Sequence, residues 1–474
     1  MLKDSKKPSF GISVLTVAFL FFVIVAQLIA VGAPDIHMTL VFAITFAVVV
    51  LMLTGTKWDL IQKGVLHGAE IATIPMLILM FIGMLIPALI ASGTIPALIY
   101  YGLQLINPSM FLVTAALIST VASISTGSSY TTGGTFGVAF MGISMGLGIP
   151  PAMTAGAVLT GAIIGDKISP LSDSTNLAAG VTETNLFAHI KSMLYTTIPA
   201  YIISLILYTI IGMRFDVSSI DTTTVDLILS GIADNFNVSP MFALISLIPL
   251  IAIVFMAVKQ VSALAAMVIA SIIAMFLAIL TQGHGLIEMM SYMNYGFVVD
   301  TGVSEVNALL NRGGIQSMMW TVSLGYLGLA YGGILEKTGV MESILDKMSA
   351  LTNNARNLVI THIFSAILVN LISASQYVAI IIPGRMYLPA YRKLGIRTDV
   401  ASRTCEDSGT VTSPLVPWGL CGVFFTGTLG VSTLEYFPYA FLAYLTPIVA
   451  IIYAITNKFI WMEEDSKNAT KTVI

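Results

Sequence analysis

Two segments of this chain gather oxygen ligands and carboxylates within otherwise apolar sequence. The first is Gly165-Asp-Lys-Ile-Ser-Pro-Leu-Ser-Asp-Ser-Thr-Asn176. The second is Arg403-Thr-Cys-Glu-Asp-Ser-Gly-Thr-Val-Thr-Ser-Pro-Leu-Val-Pro417. In the first, the carboxylates Asp166 and Asp173 stand among the neutral ligands Ser169, Ser172, Thr175 and Asn176. In the second, Glu406 and Asp407 precede Thr412 and Ser413. Hard cations such as Na+ prefer oxygen, and glycine and proline in both segments stop a helix, freeing carbonyls that become further ligands. Free Asp titrates near about 3.9, and burial can raise that by several units. One set of oxygens then holds either a proton or Na+, but not both, which is the chemistry of exchange. Lys167, beside Asp166, is a candidate salt-bridge partner that would release the carboxylate when Na+ arrives. The site calls for no cofactor beyond the transported ions.

Two shorter polar runs, 123–135 and 370–376, also interrupt apolar sequence. A polar break in hydrocarbon is tolerated only inside protein or beside a water-filled cavity. Both runs are read as tips of re-entrant hairpins, at Ser128 and Ser129 in one and Ser375 and Gln376 in the other. Small residues also fill helix interfaces in membranes, so plain helix packing is the alternative at 123–135. For 166–176 the alternative is an external loop with ordinary turn chemistry. His362, on an apolar helix, reads as a packed, hydrogen-bonded histidine before it reads as a proton relay.

These segments must be positioned by a membrane-embedded frame. Of the 474 residues, 57% are hydrophobic and 9% charged, whereas soluble domains carry about 25% charged residues. Apolar stretches near the roughly 20 residues that cross a bilayer as a helix recur at 11–31, 38–54, 72–91, 195–212, 241–258 and 439–455. The lipid bilayer is the implied partner, and nothing points to nucleic acid. Stretch 11–31 follows a basic N-terminus but is longer than a signal peptide's apolar core, so it reads as a retained span. Cys405 and Cys421 read as two buried thiols rather than a disulfide framework. No P-loop, zinc motif or nucleophile elbow supports an enzyme, and a channel is a more distant reading.

Basic residues of short loops collect on the cytoplasmic side. Lys3, Lys6, Lys7, Lys57, Lys63, Lys191, Lys259, Lys337, Lys347, Arg356, Arg392, Lys393, Arg397 and Lys458 fall on one side of an alternating topology, with both termini. Arg214 and Arg312 are the chief exceptions. Residues 57–70, with Trp58, read as an interfacial helix. Residues 215–239 carry Asp216, Asp221, Asp226 and Asp234 and read as an external acidic linker.

The halves also resemble each other at a separation of about 245 residues, as transporter repeats do. Ser128-x-Tyr130 recurs as Ser375-x-Tyr377, Leu147-Gly148-Ile149 as Leu394-Gly395-Ile396, and Ser92-Gly93 as Thr338-Gly339. Gly165-x-x-x-Ser169-Pro170-Leu171 recurs as Gly409-x-x-x-Ser413-Pro414-Leu415. The loop at 146–151 is uncharged while its counterpart at 391–397 holds three basic residues, the contrast that inversion predicts. The expected fold is an all-α polytopic membrane protein with two inverted-topology repeats. It has about ten transmembrane helices, two re-entrant hairpins (110–126 with 132–147, and 358–374 with 378–394) and two broken helices. Fourteen full spans is the alternative. The expected units are a first repeat, 1–214, the linker 215–239, a second repeat, 240–458, and a cytoplasmic tail, 459–474.

Gly165–Ala179, with His189-Ile-Lys191 and Tyr195-Thr-Thr-Ile-Pro199, resembles the signature of the NhaC family of bacterial Na+/H+ antiporters. The likeness extends over nearly the whole chain. It implies a bacterial plasma-membrane location, inverted repeats with hairpins and broken helices, and exchange of Na+ against H+. It equally admits a malate/lactate type of antiport, with a small carboxylate as a further partner; Arg385 and Arg403 are the residues that would fork onto it. A homodimer is a candidate assembly.

Overall fold

The computed structural model describes residues 7–32, 34–215 and 222–463, and is all-helical apart from one isolated bridge. Polarity is distributed as in a membrane protein. Ile29, Leu53 and Ile287 are more than 80% exposed, while Lys167, Glu406 and Asp407 are fully buried. Among the described residues, nine helices are long and apolar enough to cross a membrane. The count is ten if the bent pair Leu420–Leu429 and Thr433–Tyr439, 91° apart, forms one span. Helix ends are set by local chemistry. Ser9, Asp35, Asn185 and Asn354 each cap a helix by accepting from backbone N–H groups of its first turn, as short polar side chains do.

Both hairpins form. Phe111–Thr126 ends on Gly127 (φ 66°), Ser128 is extended, and the chain re-enters helix at Ser129–Thr132. Ala355–Ser373 ends on Ala374 (φ 57°), Ser375 is extended, and Gln376–Lys393 follows. The first arms, within Pro108–Thr126 and Ala355–Ser373, are themselves among the nine long apolar helices. By length and apolarity the described residues supply nine to ten candidate spans, with the shorter apolar helix Phe441–Thr456 besides. Both broken helices form too. Pro151–Ile168 breaks before Asp173–Val181; Thr398–Cys405 runs through a π-helical turn, Glu406–Thr410, and Ser413–Leu415 before Leu420–Leu429.

Backbone conformation repeats along the chain. Positive-φ residues pair as Gly55 with Gly302, Gly93 with Gly339, Gly127 with Ala374, Gly148 with Gly395, and Glu183 with Gly430, each 246 or 247 residues apart. Helix starts at Pro151 and Thr398, and at Asp173 and Leu420, keep the same interval. So do two buried side-chain bonds: Ser123 Oγ donates to the Ala162 carbonyl, and Asn370 Nδ2 donates to that of Gly409. In this register Asp166 stands opposite Ser413. The Gly-x-x-x-Ser-Pro-Leu likeness of the two segments therefore lies three residues out of step with the backbone.

Two elements differ from expectation. Residues 57–70 are not a separate interfacial helix but the start of Trp58–Ala91. No proline intervenes before Pro75, and neighbouring helices let a membrane helix tolerate it. Asp226 and Asp234 lie on the helix Thr222–Asn235, which buries Ile228 and Ile232; the linker is thus partly folded. Asp216 and Asp221, Lys3 and Lys6, and positions 464–474 of the tail lie outside the described residues.

Trp58–Ala91 packs along Met319–Lys337 at the centre. A Cβ on Gly64 would stand 2.7 Å from Ile334 Cα, and one on Gly333 would stand 2.8 Å from the Gly68 nitrogen. Only glycine permits so close an approach of backbones.

Candidate functional site

The two breaks and the two hairpin tips converge. Asp166, in the last turn of Pro151–Ile168, turns its carboxylate onto the first hairpin tip. Ser129 donates to it twice, from its backbone N–H (2.9 Å) and from its hydroxyl. The Asp166 carbonyl accepts from Ser174 (2.7 Å) and Thr175 (2.5 Å), so one residue joins the tip to both halves of the broken helix. Gly165 makes this possible: a side chain there would run into Ser123 of the hairpin arm.

Lys167 lies about 100° around the helix from Asp166, and this separates them. Its ammonium does not pair with Asp166 but with Asp407 of the second break, and both side chains are fully buried. Thr196 also donates to Asp407 (2.8 Å), and Arg403 Nε lies 3.9 Å from the other carboxylate oxygen. Asp407 thus spends its charge on a cross-half ion pair. Glu406, its neighbour in the π-helical turn, does not. Neither of its oxygens has a hydrogen-bond partner among the described residues, and the Thr410 hydroxyl is likewise unpartnered. π-turns widen a helix and recur at functional sites.

The remaining candidates divide. Asp173 and Asn176 are exposed and line a cavity of about 430 Å³ with Ser128, Gln260 and Ser262. Asn176 also donates to the carbonyls of Pro170 (2.9 Å) and Ser172 (2.8 Å). Ser169 is tied to the Ile124 carbonyl (2.9 Å), and Ser172 to Ser174 (3.0 Å). Thr412 donates to the Ser408 carbonyl (2.5 Å) and accepts from Asn370 (3.0 Å); it pins the second hairpin to its helix rather than facing the carboxylates. Ser413 is buried. At the second tip, Gln376 Oε1 accepts from Cys421 Sγ (3.1 Å), while the buried Ser375 hydroxyl is unpartnered among the described residues. Tyr130, from the first tip, reaches the same thiol (3.2 Å). Both cysteines are free and buried. His362 is held at both nitrogens, by Tyr391 (3.2 Å) and Cys405 (3.5 Å).

Thr196 and Ser174 hold site atoms but carried no role in the sequence reading. Thr196 lies inside Tyr195-Thr-Thr-Ile-Pro199, and a hydroxyl at that point of an apolar helix was the available signal. Of the two arginines, Arg403 is committed, donating to the Phe459 carbonyl (3.0 Å) beside Asp407. Arg385 is exposed, on a cavity of about 640 Å³ that it shares with Asn176, Glu183 and Arg392.

The profile of the Na+/H+ antiporter family matches residues 5–175 and 161–458. The chain is 34% identical to the Na(+)/H(+) antiporter NhaC of Alkalihalophilus pseudofirmus, over 98% of this chain and 99% of that protein. It is 35% identical to the malate-2H(+)/Na(+)-lactate antiporter of Bacillus subtilis, over 87% of each. It is 34% identical to the arginine/ornithine antiporter ArcD of Halobacterium salinarum, over 98% of this chain and 95% of that one. The chain belongs to the Na+/H+ antiporter family of the NhaC type, and is a multi-pass membrane protein and secondary antiporter rather than an enzyme.

Proposed function

We propose that this protein exchanges Na+ for H+ across a bacterial plasma membrane by alternating access, with Glu406 and Asp166 as the ion-carrying carboxylates. The observation that carries this reading is the Glu406 carboxylate, fully buried in the π-helical turn with no cation at ion-pair distance among the described residues. An isolated buried carboxylate ion is prohibitively costly. Glu406 must therefore hold a proton or a cation, and alternation between the two is antiport. Asp407 cannot serve in the same way, because Lys167 already neutralises it. Asp173 and Asn176, on the open cavity, are the approach by which Na+ reaches the centre.

A flux assay in proteoliposomes with an internal pH dye tests this, adding Na+, Li+, K+, malate, lactate and arginine in turn. Na+ alone is expected to move protons. The second reading is a Na+/H+-coupled organic-acid antiporter; exposed Arg385 beside Asn176 favours it, and so does the malate/lactate relative. Proton movement that requires malate or lactate would establish it and defeat simple exchange.

The recurrence of backbone conformation at 246–247 residues supports two repeats, 1–214 and 240–458, and the contrast in loop charge supports their inversion. Pairs of groups assigned to the cytoplasm meet in space, which supports a common side. Lys7 lies 2.6 Å from Glu342, and the Arg397 N–H donates to the Trp461 carbonyl (2.9 Å). Single cysteines at Met145 and Lys393, both exposed, are expected to react from opposite sides of the membrane, Met145 from outside and Lys393 from inside. Labelling of both from one side would rule out inversion.

A further inference from the structure

The helix Thr398–Cys405 carries buried charge that the Na+ reading leaves unused. Asp399, Arg403 and Asp407 follow at intervals of four, so they share one face and climb about 6 Å per step. Their side chains are 4%, 3% and 0% exposed. Each leaves one polar atom with no hydrogen-bond partner among the described residues: Asp399 Oδ1, Arg403 Nη1 and Asp407 Oδ2, the last 3.9 Å from Arg403 Nε. At one end Asp399 pairs with Arg397, whose side chain is 36% exposed; at the other, Asp407 meets Lys167. The ordinary account of Asp399 is a charge that suits a helix N-terminus. That fits a solvated carboxylate, not a buried one with an unused oxygen. Buried polar atoms are nearly always satisfied, so three unsatisfied ones in file on one face mark a polar route.

We propose that this face is the proton route between the central carboxylates and the cytoplasm, separate from the Na+ approach at Asp173 and Asn176. The proposal rests on the Na+/H+ reading. Arg403 does not release its proton; it is a positioning residue that holds two carboxylates in line. Asp399 is the carrier. A proton leaving Glu406 crosses by water past the Asp407–Arg403 pair to Asp399 Oδ1, and leaves to bulk water. One O–H bond forms for each that breaks, and Asp399 ends ionised. The other groups around the file are Lys167, Thr196, Tyr391, Tyr453 and His189, the last bonded to Ser402 (2.6 Å). Trp461 closes its flank, with Arg397 5.4 Å and Arg403 5.3 Å from the ring centroid.

Two assays on the reconstituted full chain separate this route from the Na+ site. Exchange of labelled Na+ for Na+ at equal pH needs no proton release; Na+/H+ exchange does. Asp399→Asn is expected to slow Na+/H+ exchange about tenfold or more, in line with loss of a proton-transferring group. Na+/Na+ exchange should stay within about twofold, formate should restore part of the lost rate, and Asp399→Glu should restore most of it. Equal loss of both exchanges without rescue, or loss of neither, would overturn the route. If Asp399→Asn does not reach the membrane, Asp399→Ser is read in its place: selective slowing of Na+/H+ exchange supports the route, and equal loss of both or no change overturns it. Absence of Na+/Na+ exchange in the unmodified protein would instead fail the Na+ reading, and the route with it.

Discussion

Lys167→Met is expected to destabilise the protein by about 3–5 kcal/mol, the cost of leaving a buried carboxylate without its cation. Asp407 is fully buried, its nearest other cation is Arg403 Nε at 3.9 Å, and the Thr196 hydroxyl cannot carry charge. Thermal unfolding in detergent should show a large fall in midpoint. Methionine fits the space, since Met193 Sδ already lies 3.5 Å from the ammonium. The double variant Lys167→Met with Asp407→Leu removes both charges, and apolar replacement of a buried pair is often neutral or better. It should recover the fold without recovering exchange. A single variant that melts with the parent would mean that this pair does not hold the halves together.

The second large effect lies at the carrying carboxylates. Asp166→Asn and Glu406→Gln each keep shape and remove titration, and each is expected to cut Na+/H+ exchange about a hundredfold or more at normal expression. In the parent, protons and Na+ compete for the same oxygens, and a protonated carboxylate cannot hold Na+. Falling pH should therefore raise the apparent KM for Na+, about tenfold per pH unit below the site's own titration, with little change in maximal rate. A pH-independent KM would sink the shared site. His362→Ala is the control. With its nitrogens on Tyr391 and Cys405, removing it should leave the pH dependence in place, and loss of that dependence would move the proton site there.

Much of this was legible in the sequence because polar residues in hydrocarbon have few possible uses. The Ser-Thr-Gly run placed the first hairpin tip at Ser128 and Ser129, and Pro and Gly placed both helix breaks. What sequence could not give was direction around a helix. Asp166 and Lys167 are neighbours in the chain and so looked like partners, yet a step of 100° sends one to Ser129 and the other to Asp407. For the same reason Glu406 and Asp407 read as equivalent, although only one finds a cation. The likeness of the Ser-Pro-Leu segments pointed to a register three residues away from the one the backbone keeps; turn chemistry repeats easily, whereas a left-handed residue at Gly127 and Ala374 marks a position in space. The first turns of the long helix Trp58–Ala91 read as a separate interfacial helix because Lys57, Trp58 and Lys63 suit a membrane surface, which says nothing about where the helix ends.

The glycine seam between Trp58–Ala91 and Met319–Lys337 bears on how such a molecule moves. Where two backbones touch, neither can roll or slide without first lifting away, and lifting would strip dispersion contacts along the whole seam. That pair is a stator. The same close approach recurs at Gly161 and Gly165 against the arm Phe111–Thr126, and at Gly332 against Ser373, so the joints left in the fold are the two-residue turns and the breaks at Ser169–Ser172 and 416–419. The molecule is therefore divided into welded pairs of helices joined at short turns and breaks, and the carboxylates lie beside those joints.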